Sequence, residues 1–380
     1  MKIVYSIDAK FGGSGIGWIA YNAAAGIYRA GHLARLFVNS NAQTTIPRAL
    51  IRQWGIAGRG VKYLAAKDAT ALLDYLENTL FDYWVAAQLP TAQIFHGWNA
   101  MCLRSLQRAK TRGMITVVER ASTHPATQAR LMREEYARWN VPLKFPTWNL
   151  ARMRQEFAHA DYIIVPSAFA RATMLAEGIP APKLIEIPFG VDLTRFAPAD
   201  STRARPFRAI FAGTVTIRKG VPYLLDAWQR LQWHDAELWI VGAIAPDFAT
   251  IRARWNDLPN VRFIPHTNEL ARLMQQCDVF VFPSIEEGSA LVTYEAMAAG
   301  LPLITTPNAG SVARDGEEGF IVPMRDVDAL CARLERLRGD EALRARMRRA
   351  ARARVESFTW EHYHARLLAF YERAVAERVR

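Results

Sequence analysis

Short, almost wholly apolar runs recur along this chain in two series, with longer helix-like stretches between them, and a polypeptide written this way has few folds open to it. MKIVYSI, LARLFV at 33–38, QIFHG at 93–97, MITVVER at 114–120 and DYIIVPS at 161–167 form the first series. Being continuously apolar, they read as strands buried on both faces of a parallel sheet rather than as half-exposed antiparallel strands. The segment from Trp18 to Ala30 reads as a helix between the first two, which makes a right-handed βαβ unit. The same pattern restarts with FRAIFAG at 207–213, AELWIVG at 236–242, NVRFIP at 260–265, DVFVFPS at 278–284 and LPLITT at 301–306.

Between the series, Pro188, Pro198 and Pro206 with Gly190 mark a linker. The expected division is a doubly wound α/β domain over 1–188, a linker over 189–205, a second such domain over 206–355 and a terminal helix over 356–380. That helix follows from Trp360, Tyr363, Leu367, Phe370, Tyr371 and Val375 at helical spacing. Two parallel sheets in tandem leave a cleft beyond the carboxyl ends of their strands, where ligands bind. A length of 380 residues and 51% hydrophobic content agree with two cores.

Cys102, Cys277 and Cys331 fit neither a disulfide framework nor a zinc site, and the amino-terminal apolar run breaks at Asp8 and Lys10, so a cytoplasmic location is expected. The formal charge of +12 admits nucleic acid, an anionic membrane surface or phosphorylated small ligands as partners. Arg104, Arg108, Lys110 and Arg112, and again Arg344, Arg346, Arg348, Arg349, Arg352 and Arg354, read either as solvated helix faces or as a surface holding the protein at the inner face of an anionic plasma membrane. A nucleic-acid reader would need a recognisable module or an aromatic-studded basic groove, and neither is found, so no nucleic-acid partner is expected.

Chemistry concentrates in PSIEEGSALVTYEAMAAGLPLITT, residues 283–306. A helix is expected to begin near Ser289, with Glu287 just before it and Glu295 two turns on, rotated by about 80°. One ligand could touch both carboxylates. The backbone amides of Gly288, Ser289, Ala290 and Leu291 make a positive helix end suited to a phosphate. In FAGTVTIRKGVPYLLDAW, residues 211–228, a turn at Gly213 is followed by Arg218 and Lys219 at a loop-to-helix junction, two cations able to neutralise a diphosphate. After the first strand, FGGSGIGWIA does not give the spacing of a dinucleotide fingerprint, but it can bring backbone close to a phosphate or sugar.

EGSALVTYEAMAAGLPLITT resembles the E-x7-E segment of retaining GT-B glycosyltransferases, the glycosyltransferase family 4-like group 1, and HADYIIVPSAFAR, IPFGVDLTRFAP and FTWEHYHARLLAFY extend the resemblance over nearly the whole chain. The resemblance implies two Rossmann-like domains facing a central cleft, the first for the acceptor and the second for the nucleotide sugar, with the last helix returning to the first domain. It implies that Glu287 contacts the transferred sugar and Glu295 the ribose, and that the amides of Gly288 to Leu291 contact sugar and diphosphate. Gly12 and Gly13 match the family's amino-terminal glycine loop, and His96 its histidine close to the sugar. Thr214 stands where many members carry an arginine, a charge Arg218 would supply instead. Gly242 lies in a loop expected near the base, and Glu119, Arg120, Ser122 and His124 are acceptor-side candidates.

The expected activity is transfer of a hexose-type sugar, with retention, from a nucleoside diphosphate sugar to a glycan or lipid-linked acceptor in polysaccharide or glycoconjugate synthesis. No cofactor and no metal are expected, since no DxD pair stands at a strand end and no Cys/His cluster exists. An epimerase or other nucleotide-sugar enzyme on the same scaffold remains open, as does a basic nucleic-acid-binding protein.

Overall fold

The computed structural model describes residues 1–55, 70–143, 148–198 and 205–379, so residues 199–204 of the expected linker lie outside the described residues. The first sheet has the order β3-β2-β1-β4-β5-β6-β7. Its strands are β1 (Ile3–Phe11), β2 (Leu33–Asn41), β3 (Ile51–Gln53), β4 (Ile94–Trp98), β5 (Ile115–Glu119), β6 (Tyr162–Val165) and β7 (Leu184–Glu186). The second has the order β10-β9-β8-β11-β12-β13, from β8 (Phe207–Ala212), β9 (Ala236–Val241), β10 (Val261–Ile264), β11 (Val279–Phe282), β12 (Leu303–Thr305) and β13 (Gly319–Ile321). Every pairing is parallel; β1, for example, sets Ile3 against Leu33 on one side and Ile94 on the other. β4, β5 and β11 are buried along their whole length, as a strand covered by helices on both faces must be.

In the first domain the helices are α1 (Ile16–Arg29), α2 (Thr70–Gln88), α3 (Leu103–Thr111), α4 (Pro125–Arg138), α5 (Trp148–His159) and α6 (Ala168–Ala176). In the second they are α7 (Val221–Leu231), α8 (Pro246–Ala249), α9 (Leu270–Met274), α10 (Leu291–Ala298), α11 (Val327–Gly339) and α12 (Glu341–Val355). The strand order reverses between β1 and β4 in one sheet and between β8 and β11 in the other, which places a crevice at each sheet's carboxyl edge.

The last helix, α13 (Trp360–Val379), crosses back and packs on α1. Tyr363, Leu367, Phe370 and Tyr371 of this helix are buried, Phe370 against Tyr162 of β6 and Tyr371 against His96 of β4. Gly26 of α1 is needed there, since a Cβ on it would lie 2.5 Å from the His364 ring. The outgoing and returning crossings touch: the Val191 amide donates to the Phe358 carbonyl at 3.0 Å and Val191 bridges Thr359.

Of the two basic stretches, the one on α12 is largely tied into the fold. Arg352 donates to the carbonyls of Phe196 at 3.0 Å and Ala298 at 2.8 Å, and Arg354 to that of Val312 at 3.2 Å. These guanidiniums satisfy carbonyls of two loops and of the α10 carboxyl end.

Candidate active site between the two sheets

The two carboxyl edges face one another across a cavity of about 560 Å³. Its first-domain wall comes from Gly15 and Ile16 after β1, Trp98 and Asn99 at the end of β4, and Arg120 and Ser122 after β5. The opposite wall carries Gly213, Thr214, Arg218, Lys219, Phe282, Glu287, Ser289, Ala290 and Leu291.

Gly213 leaves β8 at φ 141°, backbone that a side chain would strain. The loop then runs to Gly220, which caps α7 at φ 71° and has no room for a Cβ, since one would lie 1.9 Å from the Pro283 carbonyl. Arg218 and Lys219 are thereby held against the segment that follows β11. Arg218 Nη1 lies 2.9 Å from Glu287 Oε1, and Lys219 Nζ contacts the same oxygen. Burial works to lower the Arg218 pKa, but Glu287 and Glu286 outweigh it and raise it; for Lys219 burial prevails and lowers it. Two cations thus meet on one carboxylate, an arrangement that an entering dianion can compete for.

The helix after β11 starts at Leu291 with Ala290 as its cap, two residues later than the sequence suggests. Its free amides are fewer than expected, because the Ala290 N–H donates to the Ala309 carbonyl at 3.0 Å. Gly288 permits a close approach, but the backbone approaching it is the chain's own: a Cβ there would sit 2.1 Å from the Ala121 carbonyl of the first domain. Glu295 lies a turn into α10, half-buried and away from the cavity wall, with its carboxyl pushed up to about 7 by burial against the opposing pull of Arg195. Gly242, at φ 149°, does not line the cavity either; it packs behind Gly213, whose carbonyl a Cβ on it would meet at 1.9 Å.

Several first-domain expectations are corrected. His96 is fully buried behind the sheet, its Nδ1 2.5 Å from the Tyr371 hydroxyl and its Nε2 3.1 Å from Glu119 Oε2. A side chain on a central strand whose face is covered by α13 cannot reach a sugar in the cleft. Glu119 touches the cavity floor, but its carboxylate turns to His96, to the Tyr5 hydroxyl at 3.2 Å and to the Tyr363 hydroxyl at 3.3 Å. His124 caps α4, accepting from the Ala126 amide at 3.2 Å, and burial lowers its pKa to about 4. Gly12 and Gly13 form the turn before α1 without lining the cavity, a place taken by Gly15. Arg120 and Ser122 do line it.

Three features escaped sequence reasoning. Glu286, the neighbour of Glu287, has no exposure and is gripped by both domains; the Glu-Glu doublet was its only visible signal. Asn99 bridges from the cavity wall to buried Glu156, with Nδ2 to Oε2 at 2.8 Å. Ala100 takes φ 81° beside it, and no local sequence signal marks an alanine for that conformation.

Comparison with known proteins adds to this geometry. The family model described as glycosyl transferases group 1 matches residues 206–340, the wall that carries Gly213, Arg218, Lys219 and Glu287. That match lies wholly within the second domain. The MMP alpha-(1->4)-mannosyltransferase of Mycolicibacterium hassiacum is 32% identical over 268 residues, 67% of this chain and 64% of that protein. The D-inositol 3-phosphate glycosyltransferase of an Arthrobacter species is 34% identical over 214 residues, 50% of each. The chain therefore spans between half and two-thirds of the length of these curated relatives. The solved structure of Anabaena HepE in complex with UDP superposes with a TM-score of 0.74 at 15% identity, covering 98% of this chain and 100% of that one. The chain thus has the GT-B architecture, two parallel-sheet domains about a cleft.

Proposed function

We propose that this protein moves a hexose-type sugar from a nucleoside diphosphate sugar to an acceptor, with retention at the anomeric carbon and without a metal ion. The observation that carries the reading is the meeting of Arg218 and Lys219 on Glu287 at the wall of an interdomain cleft. A diphosphate entering that wall takes the two cations, and they lower the cost of the charge that develops on the leaving group. Glu287, released from them, is left to accept hydroxyl donors from the sugar. Because Arg218 and Lys219 provide the positive charge a metal would otherwise supply, transfer is expected to survive a chelator and gain nothing from magnesium. The inositol-phosphate and mannosyl relatives favour a polyol or sugar acceptor bearing a charged group, and Arg120 on the opposite wall offers a cation to meet it.

A lipid-linked acceptor is favoured by one surface. Leu72, Leu76, Leu80 and Tyr83 are exposed along one face of α2, and α3, packed against it, bears the exposed Arg104 and Arg108, with Arg104 over the Tyr83 ring. An apolar stripe rimmed by arginine suits an anionic bilayer surface, and among the described residues no helix is long and apolar enough to cross one.

The deciding experiment is a calorimetric screen of UDP, GDP, ADP and their sugars, followed by proton NMR of the product anomer. Selective binding of one diphosphate and a retained anomer support the proposal; an inverted anomer overturns retention, and no binding overturns the donor site. Sedimentation with phosphatidylserine vesicles, lost on Leu76→Asp, tests the lipid surface, and absence of binding at low salt removes it.

A further inference from the structure

We propose that Glu286 is a positioning residue that ties the acceptor-side loop of the first domain to the donor cations of the second. The proposal deepens the transferase reading above and rests on it for its catalytic consequence, though not for its geometry. Glu286 belongs to the second domain, yet most of its partners belong to the first. Its Oε1 accepts from the Ser122 hydroxyl at 2.5 Å, the Thr123 hydroxyl at 2.7 Å and the Thr123 amide at 3.3 Å. Its Oε2 accepts from Gln128 Nε2 at 3.0 Å and from Arg218 Nη1 at 3.2 Å, and the same Nη1 donates to the Glu286 carbonyl at 2.9 Å.

Gln128 carries the connection onward, since its Oε1 accepts from Arg120 Nη2 at 2.8 Å. A continuous path of Arg120, Gln128, Glu286 and Arg218 therefore joins the two cavity-lining guanidiniums, one from each wall, through side chains held by matched donors and acceptors. The carboxylate at its centre is wholly buried. Burial alone would raise its pKa, but Arg218, Ser122 and Thr123 hold it down to about 2, so it stays ionised at any working pH. A buried charge with this many donors has one favourable position, and opening the cleft would strip it of its first-domain partners. The spacing of Arg120 and Arg218, and with it the placement of acceptor against donor, is set by this residue.

Glu135 provides the internal control. It lies on the same interdomain seam, fully buried, accepting from Tyr223 at 2.6 Å and Arg325 at 2.7 Å, but it neither lines the cavity nor contacts Arg218. The test compares Glu286→Gln and Glu135→Gln in the full chain by amide hydrogen exchange without ligand, by donor binding, and by acceptor KM and kcat at saturating donor. For Glu286→Gln, exchange at 120–128 and acceptor KM should each rise by roughly tenfold or more, the scale of lost charge-assisted hydrogen bonds, with a larger share of donor lost to water. Glu135→Gln should quicken exchange at 131–138, the part of α4 that carries it, while exchange at 120–128 and acceptor KM stay within about twofold. The proposal is overturned if Glu286→Gln leaves exchange at 120–128 and acceptor KM unchanged, or if both variants raise KM alike, which would make Glu286 a generic contact between domains. If Glu286→Gln does not fold, Thr123→Val, which removes one donor and keeps the charge, is expected to give the same changes at smaller size, and a wild-type profile in it counts against the proposal. If the wild type binds no nucleoside diphosphate sugar, the donor reading falls, and exchange at 120–128 alone decides whether the tie stands.

Discussion

Arg218 and Glu287 stand 2.9 Å apart on the second-domain wall of the cleft, and Lys219 closes on the same carboxylate oxygen. Replacing Glu287 by Gln removes the charge that both cations now share. Binding of the free nucleoside diphosphate is expected to tighten several-fold, because it no longer competes with a carboxylate, while kcat falls by about 10²–10³ through loss of the group that meets the sugar. Calorimetry beside a transfer assay reads both; a parallel loss of binding and turnover would contradict the competition.

Lys219→Met leaves Arg218 to hold Glu287, so the fold should persist with its melting temperature shifted only slightly. Turnover should drop by about 10² at saturating donor, the cost of one charge aimed at a leaving group. Unchanged kcat would move leaving-group stabilisation to Arg218 alone.

Glu295 supplies a pH dependence. Its carboxyl sits at about 7 in the free protein, above its unfolded range, so the folded state binds the extra proton and this group's contribution to stability declines as pH rises from about 4 through 7. A ribose hydroxyl donating to Glu295 would favour the ionised form, so nucleotide affinity should rise with pH, by up to about tenfold per unit below pH 7, and level off above it. Glu295→Gln should flatten that profile and be no less stable than the wild type at pH 8. A wild-type affinity flat between pH 6 and 8 would remove Glu295 from the ribose site.

Gly288→Ala puts a methyl carbon where the Ala121 carbonyl lies 2.1 Å away. The expected result is a cleft propped open: donor binding within a few-fold of wild type, transfer strongly reduced, and a larger radius of gyration by solution scattering. If scattering and transfer are both unaffected, the domains do not need to meet at this point.

His96→Ala should weaken the protein rather than its chemistry. Glu119 would lose a partner and Tyr371 its hydrogen bond in a fully buried cluster, a loss of about 2–4 kcal/mol. Measured per folded molecule, turnover should stay near wild type, and a hundredfold drop with stability intact would restore His96 to the chemistry.

The central parallel strands were legible in the sequence because a strand buried on both faces is written as an unbroken apolar run, as in Val279–Phe282. The edge strands Ile51–Gln53, Leu184–Glu186 and Gly319–Ile321 were missed, since three residues carry no period. Arg218, Lys219 and Glu287 were legible because each sits within a local signal, a strand end followed by a helix start. His96 and His124 misled for the opposite reason. Each ends or follows a strand just as a site residue would, and the distant partners that turn the rings inward, Tyr371 for one and Glu177 and Phe157 for the other, lie hundreds or tens of residues away. Glu286 showed in the sequence only as half of a Glu-Glu doublet, which reads as more of the same charge, whereas its place in the structure comes from Ser122, Thr123 and Gln128 across the cleft.

The return of α13 to α1 has a consequence for the order in which the molecule can be made. His96 and the Tyr371 that completes its hydrogen bond are separated by 275 positions, so on a ribosome adding about 5–20 residues per second His96 waits roughly a quarter of a minute to a minute for that partner, the Glu119 cluster uncovered while the rest of the first domain and the whole of its neighbour are synthesised. The half that emerges first is finished last, and a chain stopped short of α13 would leave both domains formed in outline and the first one unsealed.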